Sequence, residues 1–279
     1  TPAGCNLRLT LLRPRYIVDC LLITAKMASQ DHIVDPSASV LGSRDHWDHA
    51  YQRELSNFEE NEGDIGEIWF GEDVQERVCD WIGLGCQDDD GEDDEDASKG
   101  SEAFPGIRHG SSSILDIGCG NAASLVYLAK EYEFQNLTGV DYSEPAIELA
   151  RKIVAKTEET AHIKLEVLDL MDLSSLHSLH VTGNAWAFDL LYDKGTFDAI
   201  CLNEDKSMRA KYVAAIVSMM TSKKSYFVIT SCNWTEQELI QMFENMSQHS
   251  ARAEQHVGLA GVLDHANYSL KWKKTLKHP

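Results

Sequence analysis

The feature that most constrains this chain is a glycine-rich turn between two apolar segments, each of which contains or ends in an acid. Ile114 to Asn121 read ILDIGCGN, and Gly139 to Tyr142 read GVDY further along. Glycine accepts backbone conformations that other residues avoid, so the backbone of such a turn can pass close to a ligand. A carboxylate at the end of the second segment, here Asp141, can accept hydrogen bonds from both hydroxyls of a ribose. The pair of segments therefore predicts a nucleotide pocket.

Two kinds of nucleotide fit this pattern, because Gly118, Gly120 and Ala123 also satisfy the dinucleotide fingerprint. Asp116 argues against a dinucleotide, since its negative charge beside the turn would repel a pyrophosphate. The same charge would attract the cationic end of a methionine-type ligand. Asp169 ends a further apolar run, from where it could reach an adenine amino group. These residues favour S-adenosylmethionine over NAD.

The composition excludes several classes of protein. The net charge is −20, with much of it in the run from Asp88 to Asp96, and such a surface repels nucleic acid and attracts basic proteins. No apolar run reaches the roughly 18 residues that a membrane span needs. The seven cysteines form no Cys-x-x-Cys pair, and no spacing of His, Cys or Asp indicates a metal site. We therefore expect a protein of a reducing compartment, the cytoplasm and also the nucleus, that acts on neither nucleic acid nor membranes.

Changes in composition divide the chain into segments. Residues 1–26 carry arginines and few acids, as transit peptides do, although we favour translation from Met27. Ser43 is expected to cap the first helix of the domain. The acidic insertion lacks a hydrophobic period, which is typical of disorder. The predicted segments are a disordered N-terminal extension (1–40), a helical part of the domain (41–86), the disordered acidic insertion (87–108), a cofactor-binding core (109–246) and a divergent tail (247–279).

From residue 113 onward, short apolar segments alternate with amphipathic ones, which predicts strands separated by helices. Such alternation gives a doubly wound α/β fold, with a mostly parallel sheet and helices on both faces. Ligands of these sheets bind at the carboxyl ends of the strands, where Asp116, Asp141 and Asp169 all fall. Thr235 and Glu238 form a capping box at the start of a late helix. The predicted strands are 113–117, 137–140, 163–168, 197–202 and 225–230.

Five motifs together resemble those of the class I seven-strand methyltransferases, which have a Rossmann-like fold. More narrowly, the chain is similar to the family of elongation factor 1-alpha lysine methyltransferases known as methyltransferase-like protein 10. The turn motif is common to the whole superfamily, whereas the motifs around Trp69 and Asp193 are far more specific. The motifs are LGSRDHWD (41–48), GEIWFG (66–71), LDIGCGN (115–121), DKGTFDA (193–199) and ITSCNWT (229–235).

This resemblance implies transfer of a methyl group from S-adenosylmethionine to a lysine of elongation factor 1-alpha, which would be a basic protein partner. It also implies that Asp141 holds the ribose, that Asp169 lies on the adenine side, and that the turn holds the methionine end. The cofactor-binding residues implied in this way are Glu67, Trp69, Asp116, Gly118, Gly120, Asp141 and Asp169.

The same resemblance supplies two catalytic candidates, Asp193 and Trp69. Asp193 would lie where the cofactor and the target lysine meet, and Trp69 would form an apolar wall around the target amine. The neighbouring Lys194 is expected at the surface or behind the site. An aromatic environment suits this chemistry, because desolvation lowers the pKa of a lysine and aromatic faces attract a cationic methyl donor.

The match departs from the family at the C-terminus. Seven-strand enzymes end in an antiparallel strand pair, whereas residues 247–279 read as a polar, His-rich tail, so this pair is expected to be missing or altered. Its loss would leave an exposed sheet edge. Two alternatives therefore stand beside the lysine methyltransferase: a small-molecule methyltransferase, and a non-catalytic module that binds the cofactor or a partner.

Overall fold

A computed structural model describes residues 20–24, 36–86, 104, 106–172, 188–220 and 225–243 of the 279-residue chain. Within these ranges every paired strand runs parallel to its neighbours, in a six-stranded sheet of order β1-β6-β5-β2-β3-β4. The strands are β1 (Cys20–Thr24), β2 (Ser113–Ile117), β3 (Asn136–Asp141), β4 (Lys164–Val167), β5 (Leu190–Lys194) and β6 (Tyr226–Ser231).

Helices flank this sheet on both faces, as the alternation of segments predicts. None of the described helices is long and apolar enough to cross a bilayer. A 3-10 turn at Val40–Gly42 precedes the first helix. The helices are α1 (Arg44–Glu60), α2 (Glu72–Leu84), α3 (Ala123–Tyr132), α4 (Glu144–Val154), α5 (Thr196–Cys201), α6 (Met208–Met219) and α7, which is helical over residues 236–243.

The sheet has a hydrophobic core on each side, because successive strand residues point to opposite faces. In β2, Ile114 packs with α2, α3 and α4, while Leu115 packs with α5, α6 and α7. In β6, Tyr226 packs in the same core as Ile114, and Phe227 packs in the same core as Leu115. The doubly wound, parallel α/β fold predicted from the sequence is thus confirmed.

One predicted strand is wrong. The short apolar run at 197–202 predicts a strand, but such a run does not distinguish a strand from a buried helix. The strand in this region is β5, which ends before the apolar run, at Lys194. The run itself forms α5 after a turn at Gly195, where φ is 88°. The helix begins there because Asp193 accepts hydrogen bonds from the first backbone amides of α5.

The ends of the predicted segments also differ from expectation. Within the extension 1–40, Cys20–Thr24 form β1, which pairs with β6 along the sheet edge that would otherwise expose unpaired backbone groups. At the end of the insertion 87–108, Phe104 is buried between Trp81 and Tyr226, with ring centroids 4.4 and 5.2 Å away. Burial of a large aromatic side chain favours order at this position. The tail 247–279 lies outside the described residues.

Candidate functional site

A cavity lies at the carboxyl ends of β2, β3, β4 and β5, where ligands of parallel sheets bind. Its volume is about 1190 Å³, including space that is continuous with the solvent. The lining combines the turn after β2, the N-terminal part of α1, the loop before α2 and the start of α5. Six of the residues predicted from the sequence line it: Glu67, Trp69, Gly118, Gly120, Asp141 and Asp169.

The glycines of the turn are required by its conformation and by its packing. Gly118 and Gly120 have φ values of 65° and 53°, in the region that favours glycine. A Cβ atom at Gly118 would stand 2.0 Å from Oγ1 of Thr196, and one at Gly120 would stand 2.2 Å from the hydroxyl of Tyr51. These glycines therefore let the backbone of the turn pack closely against Thr196 of α5 and Tyr51 of α1.

Asp141 is buried at the end of β3 and is held in one orientation by the turns on either side. Its Oδ2 accepts from the backbone amide of Gly120 (3.1 Å), and its Oδ1 accepts from that of Ser143 (2.9 Å). Burial raises the pKa of Asp141 to about 6, although these two hydrogen bonds oppose the shift. An ionised carboxylate has about four acceptor sites, so each oxygen keeps capacity for a further donor.

Asp116 lies behind the turn rather than on the cavity surface. It is 3% exposed and is not part of the cavity lining. Burial raises the pKa of Asp116 to about 7, the charge of Lys194 lowers it, and the charge of Asp141 raises it again. Asp116 therefore places a carboxyl group beneath the turn instead of making the direct contact that the resemblance implies.

The wall near the loop before α2 is aromatic. The rings of Trp47 and Trp69 meet at 64° with centroids 4.6 Å apart, and the Trp47 indole N–H donates to the carbonyl of Leu41 (2.7 Å). Glu67 lies on the same loop, is exposed, and has its backbone amide bonded to Oε1 of Glu54 (3.1 Å). This wall gives the cavity an apolar surface with one carboxylate at its rim.

Asp193 does not reach the cavity, contrary to the expectation from the resemblance. It is fully buried and accepts hydrogen bonds from the backbone amides of Thr196 (2.9 Å) and Phe197 (3.0 Å) and from the hydroxyl of Tyr212. Burial raises its pKa to about 7. Its side chain thus holds α5 and α6 to the end of β5, and the structure supports a structural role for it.

Lys194, and not Asp193, is the residue of this pair that lines the cavity. Adjacent residues of a strand point to opposite faces, so only one of this pair can face the ligand. Lys194 lines the cavity, and its ammonium group donates to the carbonyl oxygen of Trp69 (3.1 Å). The expectation that Lys194 lies at the surface or behind the site is therefore wrong, because Lys194 lies on the cavity lining.

A further residue that the sequence did not single out is Arg44, the first residue of α1. Its guanidinium donates to Oδ2 of Asp169 (3.2 Å) and to the carbonyl of Tyr142 (2.7 Å), and it lies 4.9 Å from the Tyr142 ring centroid. Asp169 also accepts from the backbone amide of Met171 (2.9 Å). Arg44 therefore joins α1 to the ends of β3 and β4 at one side of the cavity. Its position in the motif 41–48, directly after Ser43, was the available signal.

Comparison with known proteins gives a consistent result. Residues 108–278 match the family described as a methyltransferase domain. The chain is 42% identical over 207 residues to EEF1A lysine methyltransferase 2 of Homo sapiens, with 74% of each chain covered. It is 38% identical over 216 residues to protein-lysine N-methyltransferase efm4 of Schizosaccharomyces pombe, with 74% of this chain and 81% of that protein covered. Identity to EFM4 of Saccharomyces cerevisiae is 32%, over 75% of this chain and 83% of that protein.

Proposed function

Because this chain belongs to the protein-lysine methyltransferase family that contains EEF1A lysine methyltransferase 2, we propose that it methylates a lysine of translation elongation factor 1-alpha. It is an S-adenosylmethionine-dependent enzyme. The observation that carries the proposal is that three relatives named EEF1A lysine methyltransferase 2 are 37 to 42% identical over about three quarters of the chain.

The residues of the cavity fit the cofactor. Asp141 is fixed by Gly120 and Ser143 with acceptor capacity left for the ribose hydroxyls. Asp169 lies beside Tyr142 and Arg44, at the side where the resemblance puts the adenine. The aromatic rings of Trp47 and Trp69 also line the cavity, and aromatic faces attract a sulfonium cation.

The bound cofactor supplies a methyl group on a positively charged sulfur, which is already activated for transfer. The tasks that remain for the protein are to align the target amine and to take its proton, since an ammonium group has no lone pair. The pKa of a free lysine is about 10.4. Trp47 and Trp69 would lower that pKa by removing water from the amine. Glu67, at the rim beside Trp69, is the carboxylate that we assign to orienting the amine, in place of Asp193.

The net charge of −20 is consistent with a basic protein as the partner, since opposite charges increase the rate of encounter. It disfavours a nucleic acid substrate, whose phosphates would be repelled.

The proposal is tested by incubating the purified chain with elongation factor 1-alpha and tritiated S-adenosylmethionine. We expect label in the elongation factor, which is strongly reduced at sub-saturating cofactor when Asp141 is replaced by Asn and retained when the exposed Asp205 is replaced by Asn. Mass spectrometry then identifies the modified lysine. A second incubation contains a cell extract as the source of substrates. Label that appears there only in small molecules, with none in the elongation factor, would contradict the proposed substrate.

A further inference from the structure

The cavity contains a positive charge that the proposed function does not yet use. Among the described residues that line it, the basic ones are Arg44 and Lys194. Arg44 already faces carboxylates, because it contacts Asp169 (3.2 Å) and Asp48 (3.6 Å). Lys194 differs, since within the described part of the chain its ammonium donates to a neutral group, the carbonyl of Trp69, and to no other protein atom. An ammonium group has three donors, so two of them remain available.

The surroundings of Lys194 are those of a binding group rather than of a surface lysine. It ends β5, and it lies between the loop of Trp69 and the buried Asp116. Burial lowers the pKa of Lys194, whereas the neighbouring carboxyl groups of Asp116 and Asp193 raise it. A partly buried cation with spare donors gains most from a partner that is itself charged.

We propose that Lys194 binds the carboxylate of the methionine end of the cofactor. This inference rests on the proposed function, because it assumes that the cavity takes S-adenosylmethionine. The amino-acid end of that cofactor carries one negative and one positive group a short distance apart. The cavity offers the opposite pair, with Lys194 on its lining and the Asp116 carboxyl group beneath the turn, where the cationic end of the cofactor would favour the ionised form.

Lys194 at this position would also contribute to the specificity of the cavity for its ligand. Lys194 ties the carbonyl of Trp69 to the end of β5, so the residue that would bind the carboxylate is joined to the aromatic wall beside the methyl group. Nucleosides without an amino-acid end would leave the ammonium group without its charged partner, and a buried group left unpaired lowers affinity. Lys194 would thus favour the complete cofactor over adenosine-like fragments.

The test compares two ligands on matched variants by calorimetry. The ligands are S-adenosylhomocysteine and its decarboxylated analogue, which has the same adenosine, thioether and amine but no carboxylate. The variants are Lys194→Met and Lys206→Met. Lys206 is a matched control because its ammonium also donates to a backbone carbonyl, that of Cys201, at 3.1 Å, but outside the cavity.

We expect Lys194→Met to weaken binding of S-adenosylhomocysteine about 10- to 100-fold, the loss typical of a hydrogen bond between charged groups. Affinity for the decarboxylated analogue should stay within about twofold of the unsubstituted protein, because that ligand never makes the contact. Lys206→Met should change neither affinity. If Lys194→Met does not fold, Lys194→Gln serves for the same comparison, since its amide can still donate to Trp69 but carries no charge.

The possible failures are distinguishable. Equal losses for both ligands on Lys194→Met and Lys194→Gln would mean that Lys194 only supports the Trp69 loop, and would overturn the inference. Unchanged affinity for S-adenosylhomocysteine would overturn it as well, and in both cases the proposed function would stand. If the unsubstituted protein bound neither ligand, the proposed function itself would fail.

Discussion

Asp193 and Lys194 are neighbours at the end of β5, but one side chain is buried between helices and the other lines the cofactor cavity. Asp193 binds the first amides of α5 and the hydroxyl of Tyr212. Lys194 contacts the loop of Trp69. A single motif therefore has two functions, because it fixes the helix that follows the strand and it places a cation beside the ligand.

The first prediction concerns the structural role of Asp193. Replacing it with Ala leaves two backbone amides and the Tyr212 hydroxyl without their acceptor, and each such loss costs about 1–3 kcal/mol. We expect the free energy of unfolding, measured in denaturant, to fall by roughly 3 kcal/mol or more. At temperatures where the variant is folded, its affinity for S-adenosylhomocysteine should change by less than about threefold.

The control for Asp193 is the exposed Asp205, which accepts from the backbone amide of Ser207 (2.9 Å). Its replacement with Ala should cost less than about 0.5 kcal/mol, as surface substitutions usually do. Normal stability of Asp193→Ala together with complete loss of turnover would restore the catalytic role that the resemblance implied.

The second prediction concerns the pH dependence of cofactor binding at Asp141. Burial is the main cause that raises the pKa of Asp141 to about 6. The charge of Asp48 contributes to this increase, and the charge of Arg44 opposes it. Hydroxyl donors of a ribose favour the ionised carboxylate, so binding lowers this pKa. The affinity for S-adenosylhomocysteine should therefore rise as the pH increases through about 6 and become constant above it, as calorimetry from pH 5 to 8 would show.

Asp141→Asn removes this titration, so its affinity should be about 10- to 100-fold lower at pH 8 and should lack the step near pH 6. Asp205→Asn is a matched control, because Asp205 also accepts from the amide two residues ahead but lies outside the cavity. A step that persists in Asp141→Asn would assign the titration to another acid, of which the buried Asp116 is the nearest candidate.

The third prediction concerns the packing of the glycine turn. Gly120→Ala would bring a Cβ within 2.2 Å of the Tyr51 hydroxyl and hold alanine at a φ of 53°. Gly106→Ala would also hold alanine at positive φ (88°), but with nothing within 4 Å, so it isolates the backbone strain. We expect Gly106→Ala to cost about 1–2 kcal/mol and Gly120→Ala clearly more.

Adding Tyr51→Phe to Gly120→Ala removes the atom that the new Cβ meets, and part of the lost stability should return. Thermal unfolding of the single and double variants measures this coupling. Strictly additive effects of the two substitutions would show that the turn does not pack against Tyr51.

The fourth prediction concerns Arg44 at the adenosine side. Its contacts with Asp169 and with the carbonyl of Tyr142 are partly exposed, with 56% of the Arg44 side chain accessible, so solvent screens them. Arg44→Met should weaken S-adenosylhomocysteine binding by less than about tenfold, and the deficit should shrink at high salt. Arg53→Met, on the exposed surface of the same helix, should have no effect. A loss that is independent of salt would point to the stacking of Arg44 on Tyr142 instead.

Local signals in the sequence predicted much of this architecture. Ser43 caps α1, and Thr235 exchanges hydrogen bonds with Glu238 at the start of α7, because these contacts join residues three positions apart. The sequence also predicts the glycine turn at Gly118 and the acid at Asp141, because apolar runs, glycines and acids follow one another closely in this part of the chain.

Other features were missed, for two reasons. The apolar run 197–202 forms a helix that Asp193 caps locally, but over so few residues no periodicity separates a helix from a strand. The other missed features depend on distant contacts. The orientation of Asp193 and Lys194 depends on the register of β5 in the sheet, which the sequence of one strand does not contain. Arg44 and Asp169 are 125 positions apart, so their pairing has no local signature.

The central claim is that the cavity beside Gly118 and Gly120 holds S-adenosylmethionine, and the most direct test is a crystal structure with S-adenosylhomocysteine. We expect the ribose hydroxyls within about 3 Å of the Asp141 carboxylate, the distance of a hydrogen bond, and the methionine carboxylate at the Lys194 ammonium. A crevice without ligand at saturating concentration, or a ligand bound elsewhere on the chain, would contradict the account.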